Sequence, residues 1–146
     1  MSRIRTALAT FLLGLFAVSA SATELVMVEE PGCPWCAKWE RELGAIYPKT
    51  PEGQFAPLRK VQLHDVRRNS DPAELGFALD HPVTFTPTFL LIEDGAEVAR
   101  LQGYPGEDFF WSLLEKMLIE KTSYQTPTTT DITKPAAFPA PDQATN

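Results

Sequence analysis

Hydrophobic and polar positions alternate with different periods along the 146-residue chain, and the periods predict its elements. Residues 24–30, Glu-Leu-Val-Met-Val-Glu-Glu, contain a short aliphatic run suited to a buried parallel strand. A helical pattern begins after Cys33 and continues to about Ile46, ending before Pro48. Three prolines and Gly53 between Tyr47 and Pro57 read as a surface loop. Leu58 to Val66 is a second strand, with Val61 and Leu63 alternating with Lys60 and Gln62. Asp71-Pro72-Ala73-Glu74 has the form of a helix start, with Asp71 as N-cap and Pro72 first; that helix is short, ending near Leu79 or Asp80. Thr88 to Glu93 is the most strand-like run, Asp94-Gly95 is a hairpin turn, and Glu97 to Gln102 returns. Gly103-Tyr104-Pro105-Gly106 breaks the chain, and Phe110, Leu113, Leu114, Met117 and Leu118 then form a 3.6-period stripe. The order β-α-β-α-β-β-α predicts an α/β fold: a parallel, right-handed βαβ half, an antiparallel hairpin, and helices on both faces of a four-stranded mixed sheet.

The two ends fall outside these patterns. Arg3 and Arg5, the apolar run Ala7 to Val18 and Ala20-Ser21-Ala22 have the form of a signal peptide over residues 1–22. That run is shorter than the roughly 20 residues that span a bilayer, although an uncleaved anchor stays open. A folded domain over 23–121 is expected, followed by a Thr/Pro/Ala-rich stretch, 122–146, read as a disordered tail. A periplasmic location is therefore expected. The formal charge is −6, and removal of Arg3 and Arg5 leaves 11 basic against 19 acidic residues, or −8. An acidic chain without a Lys/Arg cluster argues against nucleic acid or an anionic membrane as partner.

The chemistry concentrates in Gly32-Cys33-Pro34-Trp35-Cys36, which holds the only two cysteines of the sequence. A C-x-x-C at a strand-to-helix junction is the form of a dithiol/disulfide centre. Cys33 would lie at the helix N-terminus, where unpaired N–H groups favour a thiolate, and Pro34 at the first helical position, where its missing N–H costs nothing. Cys36, one turn in, would share a face with Trp39, Leu43 and Ile46 and be shielded. A purely structural disulfide is the bland alternative, but so short a loop removes little unfolded-state entropy. Zinc normally needs four ligands, and Met27, Met117, His64 and His81 have no ligand spacing; Cu(I) could be held by two thiolates. His64 reads as a strand-end surface residue and His81 as a loop residue. No resident metal or cofactor is expected.

Cys-Pro-Trp-Cys at a strand end, Thr86-Pro87 before a strand, a hairpin and a final amphipathic helix together resemble the thioredoxin superfamily, from roughly Leu25 to Lys121. The resemblance implies a thioredoxin-like fold. It also implies a cis-proline at Pro87, with the backbone of Thr86 binding an extended substrate segment. Cys33 would attack a substrate disulfide and Cys36 would resolve the mixed disulfide, leaving Cys33 and Cys36 as a disulfide. Trp35 would offer apolar contact to a protein substrate, or else pack on Trp39. More narrowly, residues 29–39 and 103–111 are similar to the exported thioredoxin-like proteins of bacterial sulfur-oxidation clusters. That similarity implies a protein that keeps the cysteine of a thiosulfate carrier reduced, with electrons from a membrane dithiol relay; a monomer is expected. Reduction of apocytochrome thiols before haem attachment and a non-enzymatic Cu(I)-binding module are the competing readings. Two departures matter: Met27 stands where typical thioredoxins bury an aspartate, and Pro-Trp between the cysteines is nearer the glutaredoxin pattern than Gly-Pro or Pro-His.

Overall fold

The computed structural model describes residues 22–69 and 71–127. Its centre is strand β1 (Thr23–Glu29), paired in parallel with β2 (Leu58–Gln62) and antiparallel with β3 (Thr88–Glu93); β3 also pairs antiparallel with β4 (Ala96–Gln102). The sheet order is β2-β1-β3-β4, the expected mixed sheet. Alternation of side chains sends Leu25 and Met27 of β1, with Phe89 and Leu91 of β3, to one face. Val26, Val28, Leu90 and Ile92 go to the other. The first face is covered by α1 (Pro34–Trp39) with the turn that follows it and by α5 (Glu107–Lys121), through Trp39, Leu43, Phe110, Leu114 and Leu118. The second is covered through Leu63 and Val66 of α3 (Leu63–Arg68) and through Phe77 and Val83, beside α4 (Pro72–Leu75).

Several boundaries differ from the sequence pattern, each for a local reason. The helix after Cys33 becomes a π-helical turn over Glu40–Gly44, whose wider turn rotates Ile46 outward, 47% exposed, while Tyr47 takes the buried place. The expected loop 47–57 contains a 3₁₀ turn, Tyr47–Lys49, and helix α2 (Pro51–Phe55), capped by the Thr50 hydroxyl accepting from Gly53 N at 3.1 Å. The second strand stops at Gln62, and the remainder turns into α3, which places His64 on a helix. Asp71 does cap α4, accepting from Ala73 N at 2.9 Å, but Gly76 at φ 79° ends that helix after four residues. The hairpin forms as expected, with Asp94 (φ 51°) and Gly95 (φ 76°) both in the left-handed region that a tight two-residue turn requires.

The packed unit also runs past Lys121. Tyr124 is buried against Phe55, ring centroids 5.1 Å apart, and its hydroxyl donates to Glu52 at 3.0 Å. Thr122 through Thr126 therefore belong to the domain surface, because one aromatic here repays the ordering of a few polar residues. The rest of the expected tail, 128–146, and residues 1–21 of the expected signal peptide lie outside the described residues.

Gly53 is required by a close approach. A Cβ at this position would stand 1.8 Å from the carbonyl oxygen of Tyr47, which already accepts from Thr50 N (3.1 Å) and the Thr50 hydroxyl (2.9 Å). Gly53→Ala would gain about 1 kcal/mol of helix propensity but must push apart two backbone segments. The expected net outcome is a loss of roughly 2 kcal/mol or more, measured by urea unfolding; unchanged or increased stability would show that α2 can move away freely.

Candidate active site

The site grows out of the C-terminal end of β1. After Glu29 the chain leaves the sheet, Pro31 biases Glu30 toward an extended backbone, and Gly32 at φ 80° makes the turn. Cys33 N donates to Glu30 O at 3.3 Å, so the turn ends on Cys33, the N-cap of α1. Pro34 is the first helical residue, where no N–H is needed. Cys33 Sγ accepts from Cys36 N at 3.1 Å, a bond that in the reduced dithiol favours a thiolate at Cys33.

Cys33 and Cys36 are joined as a disulfide, their Cα atoms 5.3 Å apart. They are unequal in exposure: Cys33 is half-buried, whereas Cys36 is 6% exposed in the core cluster with Met27 and Trp39. An open cleft on one side of the pair is lined by Glu30, Cys33, Cys36, Glu40 and Lys60, with Glu40 and Lys60 forming an ion pair. Met27, fully buried, leaves the sheet side of Cys36 apolar where an aspartate would have been polar.

A second cleft lies on the other side of the helix start, lined by Trp35, Phe85, Thr86, Pro87, Gly103 and Tyr104. The Thr86–Pro87 peptide bond is cis, as the resemblance implied. Pro87 is buried and its carbonyl accepts from Gly103 N at 2.7 Å. Trp35 is 53% exposed; among the described residues it stacks on no other ring, and the Lys38 ammonium stands 5.3 Å from its ring centre. The packing of Trp35 on Trp39 is thus not seen. Trp39 instead packs between Tyr47, Phe89 and Phe110, with centroids at 6.1, 5.5 and 5.8 Å.

Glu30, Lys38 and Tyr104 lie in the two stretches that carried the narrower resemblance but were assigned no substrate-binding or catalytic role from it, and Phe85 had no sequence signal. The Tyr104 hydroxyl donates to Glu42 at 2.7 Å, tying the loop before α5 to the π turn. Burial first and the Glu42 carboxylate second push its phenol pKa well above the ordinary value, so it stays a donor. Its place in Gly103-Tyr104-Pro105-Gly106, between two glycines with positive φ, was the available hint. Thr86 Oγ1 donates to Glu30 Oε1 at 2.7 Å, linking the two clefts. The histidines stand apart from the cysteines. His64 is exposed and pairs with Asp65 at 2.8 Å, and His81 pairs with Asp80 at 3.1 Å. Among the described residues, no group of three or more His, Cys, Asp or Glu is arranged to hold a metal ion.

Comparison with known proteins agrees with this geometry. A family model for a thioredoxin-like domain matches residues 17–118. The crystal structure of the periplasmic thioredoxin SoxS from Paracoccus pantotrophus, in its reduced form, is 45% identical, with a TM-score of 0.60 over 67% of this chain and 97% of that one. The crystal structure of Trxlp from Edwardsiella tarda is 27% identical over 64% of this chain and 82% of its own, with a TM-score of 0.48. The comparison with curated proteins gives no match.

The unequal burial of the two sulfurs sets their reactivity. In reduced protein a limiting amount of iodoacetamide should modify Cys33 at least about tenfold faster than Cys36, since a thiolate reacts only where reagent reaches it. Peptide mass spectrometry checks this, and equal labelling would remove the assignment of Cys33 as the accessible thiol.

Proposed function

The chain belongs to the thioredoxin-like family and is a thiol–disulfide oxidoreductase, and we propose that it is a periplasmic reductase of protein disulfides or blocked cysteines, with the carrier-protein cysteine of a sulfur-oxidation system as its target. The observation that carries this reading is the pairing of one accessible and one buried sulfur at a helix start, beside a cis Thr86–Pro87 loop. The backbone N–H and C=O of Thr86 make no hydrogen bond to the described residues, which leaves them available to an extended polypeptide. Similarity to a periplasmic thioredoxin named SoxS supports the compartment and the sulfur-oxidation context.

In the proposed reaction the Cys33 thiolate attacks one sulfur of the substrate disulfide. The Cys33–substrate bond forms, and the substrate's other sulfur leaves as a thiolate that takes a proton from water. Cys36, as thiolate, then attacks Cys33 Sγ; the Cys33–Cys36 bond forms and the second substrate sulfur leaves. Two electrons have passed to the substrate, and the enzyme is left in the disulfide state seen here. Thr86 and Pro87 hold the substrate segment by strand-like pairing, and Trp35 with Phe85 supplies apolar contact. Return to the dithiol requires an external dithiol donor, in an exported protein one reached through the membrane.

Direction of electron flow is set by potential. Equilibration against glutathione or dithiothreitol buffers should give a Cys33–Cys36 potential at or below about −220 mV, in the range of glutaredoxins and thioredoxin; a value near −120 mV, typical of strong oxidants, would reverse the assignment. The partner is approached separately. Exported Cys36→Ser protein should retain its substrate as a mixed disulfide through Cys33, released by dithiothreitol and seen on non-reducing gels. Capture of nothing through Cys33, while Cys36→Ser remains folded, would remove the exchange mechanism.

A further inference from the structure

The two halves of the site are joined by one residue that neither the cysteine motif nor the proline loop contains. Glu30 receives Cys33 N on its backbone carbonyl (3.3 Å) and Thr86 Oγ1 on its carboxylate (2.7 Å), 56 residues away in sequence. It therefore touches both the residue that carries the reactive sulfur and the residue whose peptide groups are free beside the cis bond.

The rest of the Thr86 loop is anchored elsewhere. Arg67 donates to Val83 O (3.4 Å) and Thr84 O (2.5 Å), the Thr88 hydroxyl donates to Phe85 O (2.9 Å), and Gly103 N donates to Pro87 O (2.7 Å). Those bonds hold the loop to α3 and to the strand edge; among the described residues, the hydrogen bond that holds it toward the cysteine turn is the one from Thr86 to Glu30. Pro31 helps by restricting the backbone of Glu30 to extended conformations, and the acceptor is a carboxylate, which makes the bond stronger than a neutral pair.

We infer that Glu30 is a positioning residue, a latch that fixes the spacing between the Cys33 sulfur and the Thr86 backbone and so selects extended polypeptide substrates over small disulfides. The inference rests on the reductase reading above. Its physical basis is a difference in what two substrates must satisfy. A polypeptide must pair its backbone with Thr86 at strand spacing, near 4.8 Å, while presenting its disulfide to Cys33, so both halves must be held within about half an ångström. A small disulfide needs only the sulfur.

The experiment compares kcat/KM for insulin with kcat/KM for hydroxyethyl disulfide, in a coupled assay with the full chain. Glu30→Ala should lower the ratio of the two about fivefold, the order expected for the loss of one solvent-exposed hydrogen bond, mainly through KM for insulin. Glu30→Gln, which keeps an acceptor but not the charge, should restore it; a pure charge effect on Cys33 would alter both substrates alike in the two variants. Thr86→Val should lower the ratio as Glu30→Ala does, Thr86→Ser should retain it, and the double variant Glu30→Ala/Thr86→Val should fall no further than either single change. An unchanged ratio in Glu30→Ala, or additive losses in the double variant, overturns the latch and leaves the reductase standing. Wild-type protein that reduces neither substrate overturns the reductase reading and the latch with it.

Discussion

Everything at the site depends on the burial of β1 on both faces and both edges. Leu25, Val26, Met27 and Val28 have no exposed surface, and both neighbours of the strand are hydrogen-bonded to it. Full burial of such side chains stabilises by roughly 1.5–3 kcal/mol each, and a register slip by one residue would exchange Leu25 and Met27 with Val26 and Val28 between two differently packed faces. The end of β1 is thus fixed in space, and the turn Glu30-Pro31-Gly32 that follows inherits that precision. Cys33, four residues beyond the strand, is thereby placed against the sheet, and its distance from the Thr86 loop is left to the contacts of the turn itself.

The second consequence concerns how two cysteines of one motif acquire different roles. Helix α1 is short, and its continuation as a π turn is held by Trp39 and Leu43 sunk between the sheet and α5. Trp39 makes ring contacts with an aromatic from the chain after the π turn, from β3 and from α5, so its position sets the rotation of α1 about its axis. With that rotation set, Cys36 is sunk in the core while Cys33 stays half-buried beside the cleft that Glu30 lines. The asymmetry on which exchange chemistry rests is therefore a packing result, and a change in the Trp39 cluster would reach the sulfurs by turning the helix.

Much of this was legible in the sequence because the signals were local. The strand preceding the motif, the proline at the helix start, Asp71 capping α4 and the Asp94-Gly95 hairpin are each determined by residues within a few positions, and each is observed. What escaped depends on contacts across long separations. The π turn that exposes Ile46 and buries Tyr47 has no marker of its own, and Tyr47 is accommodated only because Gly53 leaves room for its carbonyl. Tyr124 looks like part of a polar tail until Phe55 and Glu52 are brought beside it. Glu30 reads as one of two acidic residues before a turn, and the hydroxyl it binds lies on another loop.

The replacement of a buried acid by Met27 has an energetic reading of its own. An ionised carboxylate among Leu25, Trp39 and Phe89 would be costly unless partnered, and its charge would resist a second negative charge on Cys36. Methionine removes that conflict and fills the space, but it leaves Cys36 without a proton acceptor on the sheet side. The charged groups that line a cleft together with both sulfurs are Glu29, Glu30, Glu40 and Lys60, the last two as an ion pair. A proton that reaches the buried thiol through solvent would enter by this cleft. There it shares an opening with Cys33, away from the cleft in which Trp35 and Thr86 would meet a partner.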